Sequence, residues 1–213
     1  VYYSYFKLFR DNALGNFKTL IRRLCVEPGM MYYLNNQKNS KTAPDENFAR
    51  ELMELFTLGK GPEVQYTQND VIEASKVLTG WRVQGINTAN IVTNFVPAQH
   101  HQGNKQFSAF YNNTVINYQA GANGANELDQ LLDMIFAKSK IVSEYICRRL
   151  YRYFVYYDID ANIETNVIVP LAQTFVSNNW DIIPVLKQLF KSQHFFDIAN
   201  RGVFIKTPVD LVA

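Results

Sequence analysis

Leu14, Phe17, Ile21 and Leu24 recur at close to helical spacing, which predicts a helix that Pro28 and Gly29 interrupt. A short helix through Met30, Met31 and Leu34 follows, and the polar stretch 35–42 reads as a loop. From Asp45 the pattern sharpens. Phe48, Ala49, Leu52, Met53, Leu55 and Phe56 fill one helical arc, while Glu46, Asn47, Arg50, Glu51, Glu54 and Thr57 fill the other. This amphipathic helix is expected to end at Gly59. Thr67 stands as an N-cap with Asp70 as its capping-box partner, opening a second helix from about Gln68 to Thr79 that turns Val71, Ala74, Val77 and Leu78 inward.

The pattern then changes. Residues 81–118 are rich in Asn, Gly and β-branched residues, and short strands are expected at 91–96, 106–111 and 114–118, with a tight turn at Asn112-Asn113. Helical spacing returns at Leu128, Leu131, Leu132, Ile135 and Phe136, and again at Val142, Tyr145, Ile146, Leu150, Tyr153 and Phe154. A further helix over 163–176 should kink or break at Pro170, and Asp181 should cap one that holds Pro184 in its first turn and runs to about Phe190. Lys206 to Leu211 looks like the start of one more. The expected fold is mainly α, a multi-helix globular domain with a small β-hairpin or meander insertion near residues 82–118. One domain covers 1–213, helical over 1–80 and again, as a bundle, over 125–213.

A length of 213 residues is enough for such a domain to bury roughly 70% of its unfolded surface. No apolar run approaches the roughly 20 residues of a membrane span. The two cysteines, Cys25 and Cys147, exclude a disulfide framework and a four-cysteine zinc site, leaving one bridge or two buried thiols. The chain begins at Val1 with neither an initiator methionine nor a leader pattern, as a piece of a longer protein would.

Candidate chemistry is sparse. Glu46, Arg50 and Glu54 form an i, i+4, i+8 ladder, which reads as a solvated ion-pair face, while Arg50 and Glu51 could instead lie beneath a loop carrying Trp81. Glu51, Arg50 and Asp70 are the catalytic candidates; paired carboxylates acting as acid and base need about 5 to 10 Å across a cleft, so the partner of a carboxylate on this helix would have to come from elsewhere. His100 and His101 are the metal candidates. Neighbours on an extended strand face opposite ways, so both reach one ion only from a bent loop, and Glu51 or Asp70 would complete an N/O site for zinc or another divalent ion. The alternative is that both are solvent or structural histidines, and nothing in the sequence requires a cofactor. His194 reads as a partly buried histidine at a helix end. No nucleophile elbow or phosphate loop is present. Arg148, Arg149 and Arg152 interleave with Tyr151, Tyr153, Tyr156 and Tyr157, a face for stacked bases and phosphates, an acidic polysaccharide or a partner protein, but a net charge of +2 disfavours nucleic acid.

Several words recur together: Leu14-Gly15-Asn16-Phe17, Pro28-Gly29-Met30-Met31 with Tyr33-Leu34-Asn35, the 46–59 helix, Tyr66-Thr67 with Asp70-Val71, and Leu78-Thr79-Gly80-Trp81. With Phe95, His100, Lys105 and Lys206-Thr207-Pro208-Val209, they resemble the bacterial family catalogued as domain of unknown function 1800. The resemblance implies a largely helical, extracytoplasmic protein (periplasmic, outer-membrane associated or secreted), because members often carry export signals, and it implies no established activity. It also implies a partner among the products of neighbouring genes, which encode domain of unknown function 1501, a sulfatase- and phosphatase-like family. Upstream helices with a Trp-His-Asn-His-like stretch are absent from this sequence. Asp45 replaces the family's usual Asn, and His101 its usual Asp, which puts a His-Asp site in doubt. Trp81, His100 and Lys105 are then the candidate binding residues. The expected function is a binding or scaffold module for a partner protein or glycan; the alternative is a metal-assisted hydrolase completed by upstream histidines.

Overall fold

The computed structural model describes residues 2–86, 88 and 90–203, with Tyr2 described by its backbone alone. The expected helical start at 206–211 lies outside the described residues. The chain gathers into two compact units, Val1–Val142 and Ser143–Ala213. Among the described residues the architecture is mainly helical, with two small antiparallel sheets, as the pattern predicts.

In the first unit, helices α1 (Tyr2–Asn12), α2 (Phe17–Leu24) and α3 (Pro28–Tyr33) pack together. The Asn16 side chain caps α2 by accepting from Thr19 N, and Glu27 caps α3 by accepting from Met30 N. Helix α4 (Asn47–Glu51) continues as a π turn over Leu52–Thr57 instead of the plain α-helix expected to Gly59. The cause is local: Leu58 N bonds Met53 O five residues back at 2.8 Å, and the buried Thr57 hydroxyl bonds Leu52 O at 2.6 Å. The predicted arc holds in its first part, where Phe48, Ala49, Leu52 and Met53 are wholly buried, but the wider winding turns Leu55 outward. Helix α5 (Gln68–Val77) buries Val71, Ala74, Val77 and Leu78 and begins in the predicted capping box.

The insertion follows α5. Strand β1 (Trp81–Gln84), unmarked by any apolar alternation, pairs antiparallel with β2 (Val92–Phe95); β3 (Lys105–Gln106) pairs with β4 (Val115–Ile116). The expected meander is therefore two separate hairpins. The strands expected over 106–111 and 114–118 shrink to two residues each, because a 3-10 turn at Ala109–Tyr111 and a left-handed pair at Asn112 and Asn113 (φ 56° and 53°) fill the space between them. Helix α6 (Glu127–Phe136) carries the predicted stripe, with Leu128, Leu131, Leu132, Ile135 and Phe136 buried, and it packs on α2, α5 and β4.

Helix α7 (Ser139–Phe154) leads into the second unit, which also holds α8 (Ala161–Ile163), α9 (Val169–Ser177) and α10 (Ile182–Lys191). Here the expected stripe is corrected: Tyr153 is 73% exposed, and Cys147 and Tyr151 take the buried positions beside Ile146. Pro170 enters the first turn of α9 after a π turn at Glu164–Ile168, which absorbs the break it was expected to cause. Asp181 caps α10 by accepting from Ile183 N, as read from sequence. His194, half-buried in a 3-10 turn, lies 2.8 Å from the buried Tyr151 hydroxyl. Cys25 and Cys147 are both free and buried, and burial pushes each thiol up to about 12. No described helix is long and apolar enough to cross a membrane.

Glycines hold the insertion close to the helices. Gly80 turns at φ 94°, and a Cβ at Gly124 would meet Phe95 Cζ at 2.9 Å, His100 Cδ2 at 3.0 Å and Gln119 O at 3.1 Å. Gly124→Ala is therefore expected to lose about 1–3 kcal/mol in urea unfolding through overpacking. An unchanged unfolding midpoint would contradict that close approach.

Candidate functional site

The residues that carry the sequence words meet in a closed cluster behind the insertion. Thr79 ends α5, the 3-10 turn at Pro97–Gln99 delivers His100, β3 supplies Lys105, and the first residue of α6 is Glu127. His100, Lys105 and Glu127 are 1%, 0% and 0% exposed. Lys105 Nζ donates to Glu127 Oε2 at 2.5 Å and to the His101 carbonyl at 3.0 Å. Glu127 Oε1 accepts the Gln119 N–H at 2.8 Å. His100 Nδ1 lies 2.9 Å from the Thr79 carbonyl, and its Nε2 lies 3.1 Å from Glu127 Oε1, at ion-pair distance but without the alignment of a good hydrogen bond. Phe95 packs edge-on against the imidazole, and Tyr118 lies nearly parallel to it.

Electrostatics explains why these groups stay together. Burial alone would raise the Glu127 carboxyl, but the close His100 imidazole and the hydrogen bonds from Lys105 and the Gln119 N–H outweigh it and hold the carboxyl below its ordinary value. Burial lowers the Lys105 ammonium against the opposing pull of Glu127. Desolvation thus offsets much of the attraction, and the larger energetic consequence is the penalty for stranding one charge. The cluster has the character of an internal clamp.

Asp70 is another internal fastening. It is wholly buried, and its carboxylate accepts four hydrogen bonds: from Thr67 N at 2.6 Å, Thr67 Oγ1 at 3.0 Å, Ser108 N at 2.7 Å and Ser108 Oγ at 2.7 Å. One carboxylate therefore completes a helix cap and ties the insertion to α5. Three of these bonds end on Oδ2 and one on Oδ1, and the side chain is wholly buried, away from solvent.

The other candidates are placed apart. Arg50 donates to Glu46 at 3.0 Å and to Gln68 at 2.9 Å on a solvated face, so it belongs to the ion-pair ladder. Glu51 has one carboxylate oxygen buried without a hydrogen-bond partner. Trp81 is 8% exposed, with its ring against Phe95 and the Arg22 guanidinium 5.6 Å from its centroid. His101 turns away from His100: its Nδ1 accepts the Gly103 N–H at 3.1 Å, and burial, then Lys105 and Lys76, lower its pKa. Among the described residues no group of three or more His, Cys, Asp or Glu comes together in a way that could hold a metal. Glu51 and Asp70 thus do not complete a ligand set with the two histidines.

Sequence reasoning missed Glu127, which in a linear reading is only an acidic residue in a helical first turn. It also missed Asn39, wholly buried, which bonds Asn36, the Ser75 carbonyl and Asp45 N, while its own carbonyl accepts from Arg82. Asp45 Oδ1 accepts from the N–H of Asn47, the first residue of α4, at 2.9 Å.

On the outer side of the insertion a cavity of about 660 Å³ lies between β4 and α6, with Tyr111, Ile116 and Met134 among its lining residues and Asn112, Asn117, Gln119 and Gln130 around them. The chain matches the family described as Protein of unknown function (DUF1800) over residues 1–213. No curated protein and no solved structure matches it.

The clamp predicts a pH dependence. Because Glu127 is held below its ordinary value in the folded state, its stabilisation is present above the unfolded value near 4.5 and is lost as pH falls through the folded value. Glu127→Gln should cost about 3–5 kcal/mol at neutral pH, with the gap to the wild type narrowing below pH about 4. Urea unfolding across pH checks this, and parallel stability curves would contradict it.

Proposed function

The chain belongs to the DUF1800 family of proteins of unknown function, and we propose that it is a binding or scaffold module that presents its β insertion to a partner protein or a glycan. The observation that carries this reading is the division of labour within the insertion. Its charged groups, Lys105 together with Glu127 and Asp70 behind it, are buried and bonded to protein partners, whereas its outer side opens into a cavity lined by four carboxamides, with Asp133 and Lys138 also in the lining. Acid–base catalysis needs a titratable group within reach of a substrate proton; recognition needs only shape and uncommitted hydrogen-bonding groups.

The proposal includes an extracytoplasmic setting and a sulfatase- or phosphatase-like protein as one candidate partner, both resting on family likeness.

Elemental analysis of the full-length protein, prepared without chelator, separates this reading from a metal-assisted hydrolase. The expected result is no stoichiometric divalent metal in the wild type or in His101→Ala. Stoichiometric metal in the wild type that disappears in the variant would overturn the binding-module reading.

A further inference from the structure

We infer that the cavity between β4 and α6 is a binding site for a neutral oligosaccharide, an inference that rests on the binding-module reading and names its ligand class. The volume of about 660 Å³ falls within the range of small-ligand sites. Its polar lining is unusual in kind. Four carboxamides, Asn112, Asn117, Gln119 and Gln130, contribute to the wall, and their side chains have no hydrogen-bond partner among the described residues. Each offers one acceptor oxygen and two N–H donors. A sugar hydroxyl is both donor and acceptor, so neighbouring hydroxyls on one ring engage both ends of an amide. The lining also includes Val115, which is 42% exposed and offers apolar surface to the C–H face of a pyranose, while Tyr111, Ile116 and Met134 are buried at the base.

Charge decides against an acidic or basic ligand. Asp133, which also lines the cavity, already accepts from Lys18 at 2.5 Å, and Lys138 Nζ stands over the Phe110 ring at 4.9 Å from its centroid. The lining thus holds one carboxylate and one ammonium and carries no net charge, so an ionic ligand would lose hydration there without gaining a net counter-charge. Strand addition by a peptide is also disfavoured. It depends on a row of main-chain hydrogen bonds along an exposed edge, and β4 is two residues long.

The backbone beneath two of the amides is held in place before any ligand arrives. Asn112 sits in the left-handed turn with Asn113, where the Asn113 N–H bonds Ser108 O at 3.0 Å, and Gln119 is anchored through its own N–H to Glu127 at 2.8 Å. The buried clamp therefore fixes the main chain at Gln119, which leaves less loop ordering there for binding to supply.

The test is a glycan array probed with the full chain, carrying neutral glucan, xylan, mannan and chitin oligosaccharides beside acidic glycans, followed by calorimetric titration of any neutral oligosaccharide that binds. The expected result is binding to a neutral oligosaccharide, weakened roughly three- to tenfold by Asn117→Ala or Gln130→Ala and more than about tenfold by both, with the melting temperature unchanged. Exposed Asn166→Ala in the second unit serves as the control and should bind as the wild type does. Binding to acidic glycans only, no binding on the array, or binding that survives the double substitution would each overturn the inference. These failures leave the wider reading standing, because that reading falls on retained metal.

Discussion

The contact between Lys105 and Glu127 is the constraint on which the first unit depends. It joins a two-residue strand, too short to hold itself by main-chain pairing, to the first turn of α6. Both groups are wholly buried, so neither can be released to water without opening the structure around it. Glu127 then holds Gln119, and Lys105 holds the His101 carbonyl, while Thr79 receives both the His101 N–H and the His100 ring. Asp70 repeats the arrangement farther along, using one carboxylate to cap α5 and to bind Ser108. An insertion with four short strands is in this way fastened to helices that have their own apolar core.

The helices were legible because their apolar stripes are local. Leu128, Leu131, Leu132 and Ile135 announce α6 in eight residues, and the Thr67–Asp70 box announces the start of α5. Helix α1 was not read, since its first turns are a run of tyrosine and phenylalanine in which Tyr3 and Phe6 stay exposed. The π turn at Leu52–Thr57 escaped because its period differs from that of the helix before it, and the sequence marks the change only by a threonine able to bond back to the main chain.

The site was half legible for a related reason. His100 stood out as one of two adjacent histidines and Lys105 through the family resemblance, but their shared partner lies 22 residues or more away, and nothing about Glu127 as a letter distinguishes it from Asp129 or Asp133, which form ion pairs at the surface. Asp70 was read correctly as a cap, yet its second pair of hydrogen bonds reaches 38 residues along the chain. Such partners are set by how the elements pack, which spacing along the chain does not encode. What these partners change is the meaning of the motif: Asp70, a catalytic candidate in sequence, serves as a buried fastening, and carboxamides without a protein partner among the described residues lie on the outer wall.

Hydrogen exchange on Lys105→Met tests this account most directly. If the buried pair fastens the insertion, the amides of Phe107, Tyr118 and Gln119, which bond Thr114 O, Asn104 Oδ1 and Glu127 Oε1, should exchange at least about tenfold faster. Those of Arg50, Val71 and Leu78, bonded within their helices, should keep wild-type rates. Equal acceleration in both groups, or none in the first, would contradict it.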